Sequence, residues 1–120
     1  MLTLPSPVRI HVATQPVDGR KGIQGLSALV RSGLGFDPLS GHLFVFFSRR
    51  CDRVRLLYFD RNGYVLISKT LLKGCFRIPW SDALTPSRIV ESAELALVLE
   101  GIDLRGARRR PRWPVPGATE

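Results

Sequence analysis

The chain has 120 residues, of which 44% are hydrophobic, and it carries a formal net charge of +8. This length allows one domain with a single modest core and excludes a multidomain enzyme. Most of the positive charge comes from arginine, whose guanidinium fork matches the geometry of phosphate oxygens. The charge therefore favours an anionic partner, and solubility alone is the other explanation.

The apolar runs and the cysteines limit where such a protein works. The longest wholly apolar runs, residues 43–47 and 95–99, are far too short to cross a bilayer, and the first residues lack the apolar stretch of a secretory signal. Cys51 and Cys75 are far apart in the chain and have no histidine cluster nearby. The sequence predicts a cytoplasmic protein without membrane association, with two free thiols, no metal site and no cofactor.

The first regular element is a predicted strand over residues 8–13. Apolar and polar residues alternate here, and the prolines at positions 5 and 7 would end any regular structure upstream. His11 would lie on the face opposite Ile10 and Val12. We expect it to be a solvated strand residue rather than a ligand.

A helix is predicted between residues 18 and 33. Four apolar residues recur there at helical spacing, namely Ile23, Leu26, Leu29 and Val30. Asp18 is a suitable N-cap, Arg31 suits the last turn, and Gly33 can end the helix. Arg20 and Lys21 near its start have two interpretations, a joint phosphate site or solvated charges beside Asp18.

After a turn at residues 37–42, three runs rich in aromatic and β-branched residues predict an antiparallel meander. They cover residues 43–48, 53–59 and 64–69, and the second connection carries Asn62-Gly63, a strong hairpin signal. The first run is apolar on both faces, so it belongs in the middle of the sheet. In the second run, Arg53 and Arg55 point to one face, whereas Val54, Leu56 and Tyr58 point to the other.

Two further elements are predicted after the meander. Residues 73–80 suggest a last short strand closed by Pro79, with Trp80 either buried or exposed as a stacking surface. Thr85-Pro86 predicts the start of a second helix that runs to Gly101. Its apolar stripe widens towards the C-terminal end, so Leu95 and Leu99 are candidate contacts for a partner protein.

The tail at residues 105–120 is rich in proline, glycine and arginine, and it predicts a disordered basic arm after a single domain over residues 1–104. Such arms contact nucleic acid without reading its sequence, and an inert solubilising end is the alternative. The fold class predicted for the domain is α+β, an antiparallel meander of four to five strands packed with two helices. Twelve basic residues are the candidate nucleic-acid contacts: Arg20, Lys21, Arg49, Arg50, Arg53, Arg55, Arg61, Lys69, Arg77, Arg108, Arg109 and Arg110.

Several blocks recur in an order and spacing that resemble a known group. They are Asp18-Gly19-Arg20-Lys21-Gly22, Asp37-Pro38-Leu39-Ser40-Gly41, Leu43-Phe44-Val45-Phe46, Arg49-Arg50, Asp52-Arg53, Leu56-Leu57-Tyr58, Asp60-Arg61-Asn62-Gly63 and Phe76-Arg77. The chain resembles the accessory protein of TnpB type, encoded by the second reading frame of the sixty-six family of bacterial insertion sequences. The resemblance implies a non-catalytic factor that acts beside a separate transposase by handling DNA or the transposase.

The sequence leads to three hypotheses for the function. The first is a non-catalytic accessory protein for transposition that binds DNA phosphates, the transposase or both. The second is a protein adaptor without direct DNA binding. The third, a small nuclease, is disfavoured because metal-assisted phosphodiester cleavage needs clustered carboxylates, although a metal-free ribonuclease using His42 is conceivable. No catalytic residue is predicted, and the sequence does not define the oligomeric state.

Overall fold

The computed structural model describes residues 8–80 and 84–100. Its elements are β1 (Ile10–Ala13), α1 (Ile23–Ala28, continued by a π-helical segment over Leu29–Leu34), β2 (Leu43–Phe47), β3 (Arg53–Asp60), β4 (Gly63–Thr70), β5 (Ser87–Val90) and α2 (Ser92–Leu99). The strands form one sheet in the order β4-β3-β2-β1-β5. Every neighbouring pair is antiparallel except β1 and β2. The predicted α+β class is confirmed. The parallel pairing of β1 with β2 was not part of the predicted antiparallel meander.

The centre of the sheet is β2, as its sequence predicts. All five of its residues are buried, because β1 and β3 flank it and both faces are covered. The predicted hairpin joins β3 to β4, with Asp60 paired to Gly63. Its two-residue loop is Arg61 and Asn62, and Arg61 adopts a positive φ of 55°. Gly63 is therefore the first residue of β4 rather than a loop residue.

Each face of the sheet has its own apolar core. The core on the α1 face consists of Ala13, Leu26, Val30, Phe44, Phe46 and Leu57. The core on the α2 face consists of Ile10, Val12, Leu43, Val45, Phe47, Val54, Leu56, Phe76, Trp80, Val90, Leu95 and Val98. Strand alternation alone assigns the strand residues to these two faces. Odd-numbered residues of β3, which include the two arginines, therefore lie on the α1 face.

The ends of α1 differ from the prediction. The N-cap is Gly22, and within residues 8–80 and 84–100 no side chain caps this end. Asp18 instead accepts hydrogen bonds from the Arg20 backbone (2.9 Å) and the Arg20 guanidinium, so its carboxylate is already occupied in the turn before the helix. The helix continues past Gly33 and ends at Gly35, which has a φ of 78°. Arg31 lies in the last turn, as predicted.

Residues 71–80 do not form the predicted strand. Gly74 has a φ of 81°, and Pro79 cannot donate a ladder hydrogen bond. The segment instead donates to the β2–β3 loop, from the Leu71 amide to the Asp52 carbonyl (2.7 Å) and from the Phe76 amide to the Cys51 carbonyl (2.6 Å). It covers the α2 face of the sheet as an irregular cap. Trp80, at 3% exposure, is one of the buried residues in this cap, so burial is the correct alternative.

The second helix begins later than predicted, because residues 87–90 pair with the edge of β1. The register joins Ile10 to Val90 and Ala13 to Ser87. β-branched residues favour this extended pairing, and the open edge of β1 supplies the hydrogen-bonding groups. Helix α2 then starts through a reciprocal capping box between Glu91 and Glu94.

His11 is buried at 3% exposure, which corrects the predicted solvated position. Its ring lies 4.2 Å from that of Phe36 and 5.3 Å from that of Phe44, measured between centroids. Its Nδ1 atom has no hydrogen-bond partner among the residues that the structure describes. Burial, together with the nearby charges of His42 and Arg9, lowers the pKa of His11 below 6.5. The imidazole is therefore neutral in the folded protein at pH 7.

This burial predicts an acid-sensitive fold. The unfolded chain binds a proton at His11 near pH 6.5, whereas the folded chain binds it only at lower pH, so stability falls as the pH drops below 6.5. The slope from this one site can reach about 1.4 kcal/mol per pH unit. We expect His11→Phe to flatten the loss of stability between pH 7.5 and 5.5, measured by urea unfolding. His42→Asn keeps an acceptor for the Arg9 amide (3.0 Å) and should retain most of the slope. An unchanged slope in His11→Phe would contradict the assignment.

Candidate nucleic-acid interface

Two arginines at the start of β3 converge on one backbone carbonyl. Arg53 and Arg55 lie two residues apart on the α1 face, and each donates from Nη1 to the carbonyl oxygen of Gly19, at 3.0 and 2.8 Å. Arg53 also donates from Nε to the Thr70 hydroxyl on β4 (3.1 Å). The carbonyl and the neighbouring strand thus hold both guanidinium groups together without neutralising them.

The charge of this pair is uncompensated in the described part of the chain. Neither Arg53 nor Arg55 has a carboxylate partner there, and the buried Nε of Arg55 has no acceptor. Desolvation, and then the charge of Arg53, lower the pKa of Arg55, although an arginine stays protonated at any physiological pH. Holding two like charges together costs free energy that a bound anion would recover. The arrangement therefore suits an anionic ligand.

More basic residues surround the pair at the same end of the sheet. The turn before α1 supplies Arg20 and Lys21, both exposed, and the β2–β3 loop supplies Arg49 and Arg50, also exposed. These two segments meet, because the Val17 amide donates to the Phe47 carbonyl (2.9 Å). We name this surface the basic end, and its members are Arg20, Lys21, Arg49, Arg50, Arg53 and Arg55.

Two carboxylates accompany the basic end and leave it strongly positive. Asp18 forms an ion pair with Arg20 at 3.1 Å, and Arg20 lowers the pKa of Asp18 to about 2. Asp52 accepts a hydrogen bond from the Ser48 hydroxyl (3.2 Å) within the β2–β3 loop. Both carboxylates are thus engaged in local hydrogen bonds of turns and loops. The Asp18 pair also orients the exposed Arg20 guanidinium at low energetic cost.

The other predicted contacts lie elsewhere. Arg61 lies in the hairpin loop at the far end of β3, about 25 Å from Arg53 along an eight-residue strand. Lys69 lies on the α2 face, where it donates to the Leu99 carbonyl (2.6 Å), and Arg77 is exposed in the cap over that face. Arg108, Arg109 and Arg110, with the rest of the predicted tail, lie outside the described residues. The structure thus gathers six of the twelve predicted residues into one surface.

Sequence reasoning missed two partners of the arginine pair. The contact with Thr70 could have been predicted from the hairpin, because the pairing of Asp60 with Gly63 sets the register that places Thr70 opposite Arg53. No sequence feature indicated the contact with the Gly19 carbonyl, because the position of this carbonyl depends on how the turn before α1 folds back over the sheet. Gly19 lies close to Arg53, and a Cβ atom there would be 3.7 Å from the Arg53 side chain.

The proposed partner contacts on α2 have a different environment from the one expected. Leu95 is 5% exposed and belongs to the core, and Leu99 is partly buried against that core. The outward apolar residue of this helix is Leu97, at 38% exposure. The prediction that Leu95 and Leu99 form a second, partner-facing side is corrected, because their side chains support the α2 face of the sheet.

The described residues show no arrangement suited to hydrolysis. His11 is buried, and the Nδ1 of His42 accepts the Arg9 amide. Within residues 8–80 and 84–100, no three histidine, cysteine or acidic side chains are grouped to hold a metal ion. No helix in these ranges is long and apolar enough to cross a membrane. The fold and site together define a small basic α+β domain with a surface rich in arginine at one end of its sheet.

Comparison with known proteins places this domain. The IS66 Orf2-like protein family matches residues 8–109, and the chain belongs to that family of insertion-sequence proteins. Two proteins of Sinorhizobium fredii (strain NBRC 101917 / NGR234) are similar to it. "Uncharacterized protein y4jC" is 42% identical over 87% of both chains. "Uncharacterized protein y4hO" is 34% identical over 88% of this chain and 90% of its own. No solved structure matches the chain.

Family membership confirms the resemblance and gives the coarse function. The protein is an accessory protein of an insertion sequence, and its family is not a known catalytic one. What it contacts during transposition is a separate question, which the basic end addresses.

Proposed function

We propose that this accessory protein binds the phosphate backbone of DNA through the basic end. The observation that carries the proposal is the convergence of Arg53 and Arg55 on the Gly19 carbonyl without a carboxylate partner in the described residues. A guanidinium that is already positioned loses less side-chain entropy on binding a phosphate. Both groups retain unused N–H donors for phosphate oxygens.

The composition of the basic end favours backbone contacts over base recognition. Arginine and lysine dominate it, and Ser68 and Thr70 on β4 add exposed hydroxyls beside the arginine pair. No exposed aromatic ring lies among these residues of the basic end and β4. The aromatic rings of β2 are buried, so they cannot stack on bases. Such a surface contacts phosphate and sugar groups, which position a protein without reading sequence.

We also propose the transposase of the same element as a second binding partner. Ile89 is 56% exposed on the edge strand β5, and Phe36, at 37% exposure, packs on the neighbouring His11. Strand β5 lies three strands from β3, which carries Arg53 and Arg55, about 14 Å across the sheet, and His11 on β1 lies two strands from β3. DNA and a protein would therefore contact separate parts of the sheet. An adaptor that uses only this apolar edge is the alternative.

Binding of DNA through the basic end should depend strongly on salt concentration. If the basic end neutralises about six phosphates, the logarithm of the binding constant should fall with the logarithm of salt concentration with a slope of roughly −5. Fluorescence anisotropy of a labelled duplex carrying the end of the element measures this, with a scrambled duplex of equal length as the control. Preference for the element end would indicate site recognition, and equal binding would indicate a general DNA clamp. Absence of binding at low salt would contradict the proposal and favour the adaptor.

A further inference from the structure

Cys51 and Cys75 are brought together by the cap over the α2 face. The Phe76 amide donates to the Cys51 carbonyl at 2.6 Å. Standard peptide geometry then places the Cα atom of Cys75 about 6 Å from that of Cys51. Disulfides join residues whose Cα atoms are about 4.4–6.8 Å apart. Two cysteines that are distant in sequence thus have Cα atoms within the range that a disulfide spans.

The loop that carries Cys51 is fixed in position. Cys51 has a φ of 61°, an uncommon backbone conformation for a residue other than glycine. Its amide donates to the Ser48 carbonyl (2.9 Å), and the Leu71 amide donates to the Asp52 carbonyl (2.7 Å). Hydrogen bonds therefore hold the backbone on both sides of Cys51. One joins Cys51 to its own loop, and the other joins Asp52 to the segment that leads to Cys75.

The thiols are partly exposed and reduced in this structure. Burial raises the pKa of Cys51, and Cys75 and Asp52 raise it further. At neutral pH Cys51 is therefore mainly a thiol and reacts slowly on its own. Cys75 is also partly exposed, so an external disulfide can reach its sulfur.

We propose that Cys51 and Cys75 are a modification site that a low-molecular-weight disulfide oxidises to an intramolecular disulfide. In the first step the Cys75 thiolate attacks the small disulfide, forming a mixed disulfide and releasing one small thiol. In the second step the Cys51 thiolate attacks the Cys75 sulfur, forming the Cys51–Cys75 bond and releasing the other small thiol. The protein loses two protons and two electrons in total, and the small disulfide is reduced to two thiols.

The bond would fasten the cap to the β2–β3 loop. The cap holds Phe76 against Phe47, with ring centroids 5.6 Å apart, and contributes Trp80 to the core. The loop also holds Arg49 and Arg50 of the basic end. Closing a loop of about 25 residues restricts the unfolded chain, so the oxidised protein should melt at a temperature higher by about 10 °C.

The experiment treats the reduced full chain with glutathione disulfide and follows the intact mass under non-reducing conditions. We expect a monomer that has lost two hydrogen atoms, a raised melting temperature, and reversal by a thiol reductant. Cys51→Ser and Cys75→Ser should each stop at a mixed disulfide with no rise in melting temperature. Persistent double glutathione adducts, covalent dimers, or no reaction of the wild type would each overturn the proposal.

Discussion

Leu95→Glu is expected to abolish folding. Leu95 is 5% exposed and packs in the core on the α2 face, so the substitution removes apolar burial and places a charge in the core. Loss of a buried leucine costs about 2–5 kcal/mol, and an unpaired buried carboxylate adds several more. A domain of this size has only about 5–15 kcal/mol of stability. Circular dichroism and urea unfolding should show a largely unfolded chain at 25 °C.

The same helix provides a matched control for this prediction. Leu97→Glu changes net charge equally, but Leu97 is 38% exposed. Repulsion from Glu94 and Glu100, three residues away on either side, should add only a few tenths of a kcal/mol each. We expect the variant to fold and to lose less than about 1.5 kcal/mol. Native-like stability of Leu95→Glu would show that this side chain faces solvent and would restore it as a partner contact.

The double substitution Arg53→Gln/Arg55→Gln is expected to reduce DNA affinity about 100-fold at low salt. A charge-assisted hydrogen bond contributes about 1.5–3 kcal/mol, so each lost guanidinium should reduce affinity at least about tenfold. The salt slope should also decrease in magnitude, from roughly −5 to roughly −3.5, because two phosphate contacts disappear. Fluorescence anisotropy over a salt series measures both quantities. Gln retains an aliphatic stem, and relief of repulsion between the two cations should keep the domain folded.

Arg9→Gln/Arg88→Gln is the control with the same net charge. Arg9 precedes β1 and Arg88 lies on the edge strand β5, so these exposed residues belong to strands two and three positions away from β3, which carries Arg53 and Arg55. Exposed charges separated by more than about 10 Å are largely screened at 0.1 M salt, so we expect only a two- to threefold loss, roughly, in this variant. Equal losses in both double variants would mean that DNA responds to total charge, and the basic end would lose its role.

Several features followed from local sequence patterns alone. The uninterrupted apolar run of β2 determined its central place, because only a strand covered on both faces can bury all its side chains. Asn62-Gly63 marked the β3–β4 hairpin, although the loop proved to be Arg61 and Asn62. Alternation in β3 placed Arg53 and Arg55 on one face, which was the essential step towards the basic end.

Other features were decided by contacts between distant segments. Thr85-Pro86 is a signal for a helix start, yet the residues that follow it, 87–90, pair with the open edge of β1 as a strand. His11 reads as a solvated strand residue, and it is buried because Phe36, which follows α1, folds over it. The separation of Cys51 from Cys75 in sequence suggested isolated thiols, whereas the cap brings their backbones together.

Local patterns thus predict the fold class, the central strand, the hairpin and the shared face of Arg53 and Arg55. Contacts between distant segments place the Gly19 carbonyl against both guanidinium groups and bury Leu95 in the core. The two sets of features differ in the range of the interactions that produce them. Side-chain alternation and turn preferences act over a few residues, so a sequence displays them directly. The pairing of an edge strand, the burial of a ring and the sharing of one carbonyl depend on which distant segments meet. Only the packing of the whole chain determines which segments meet.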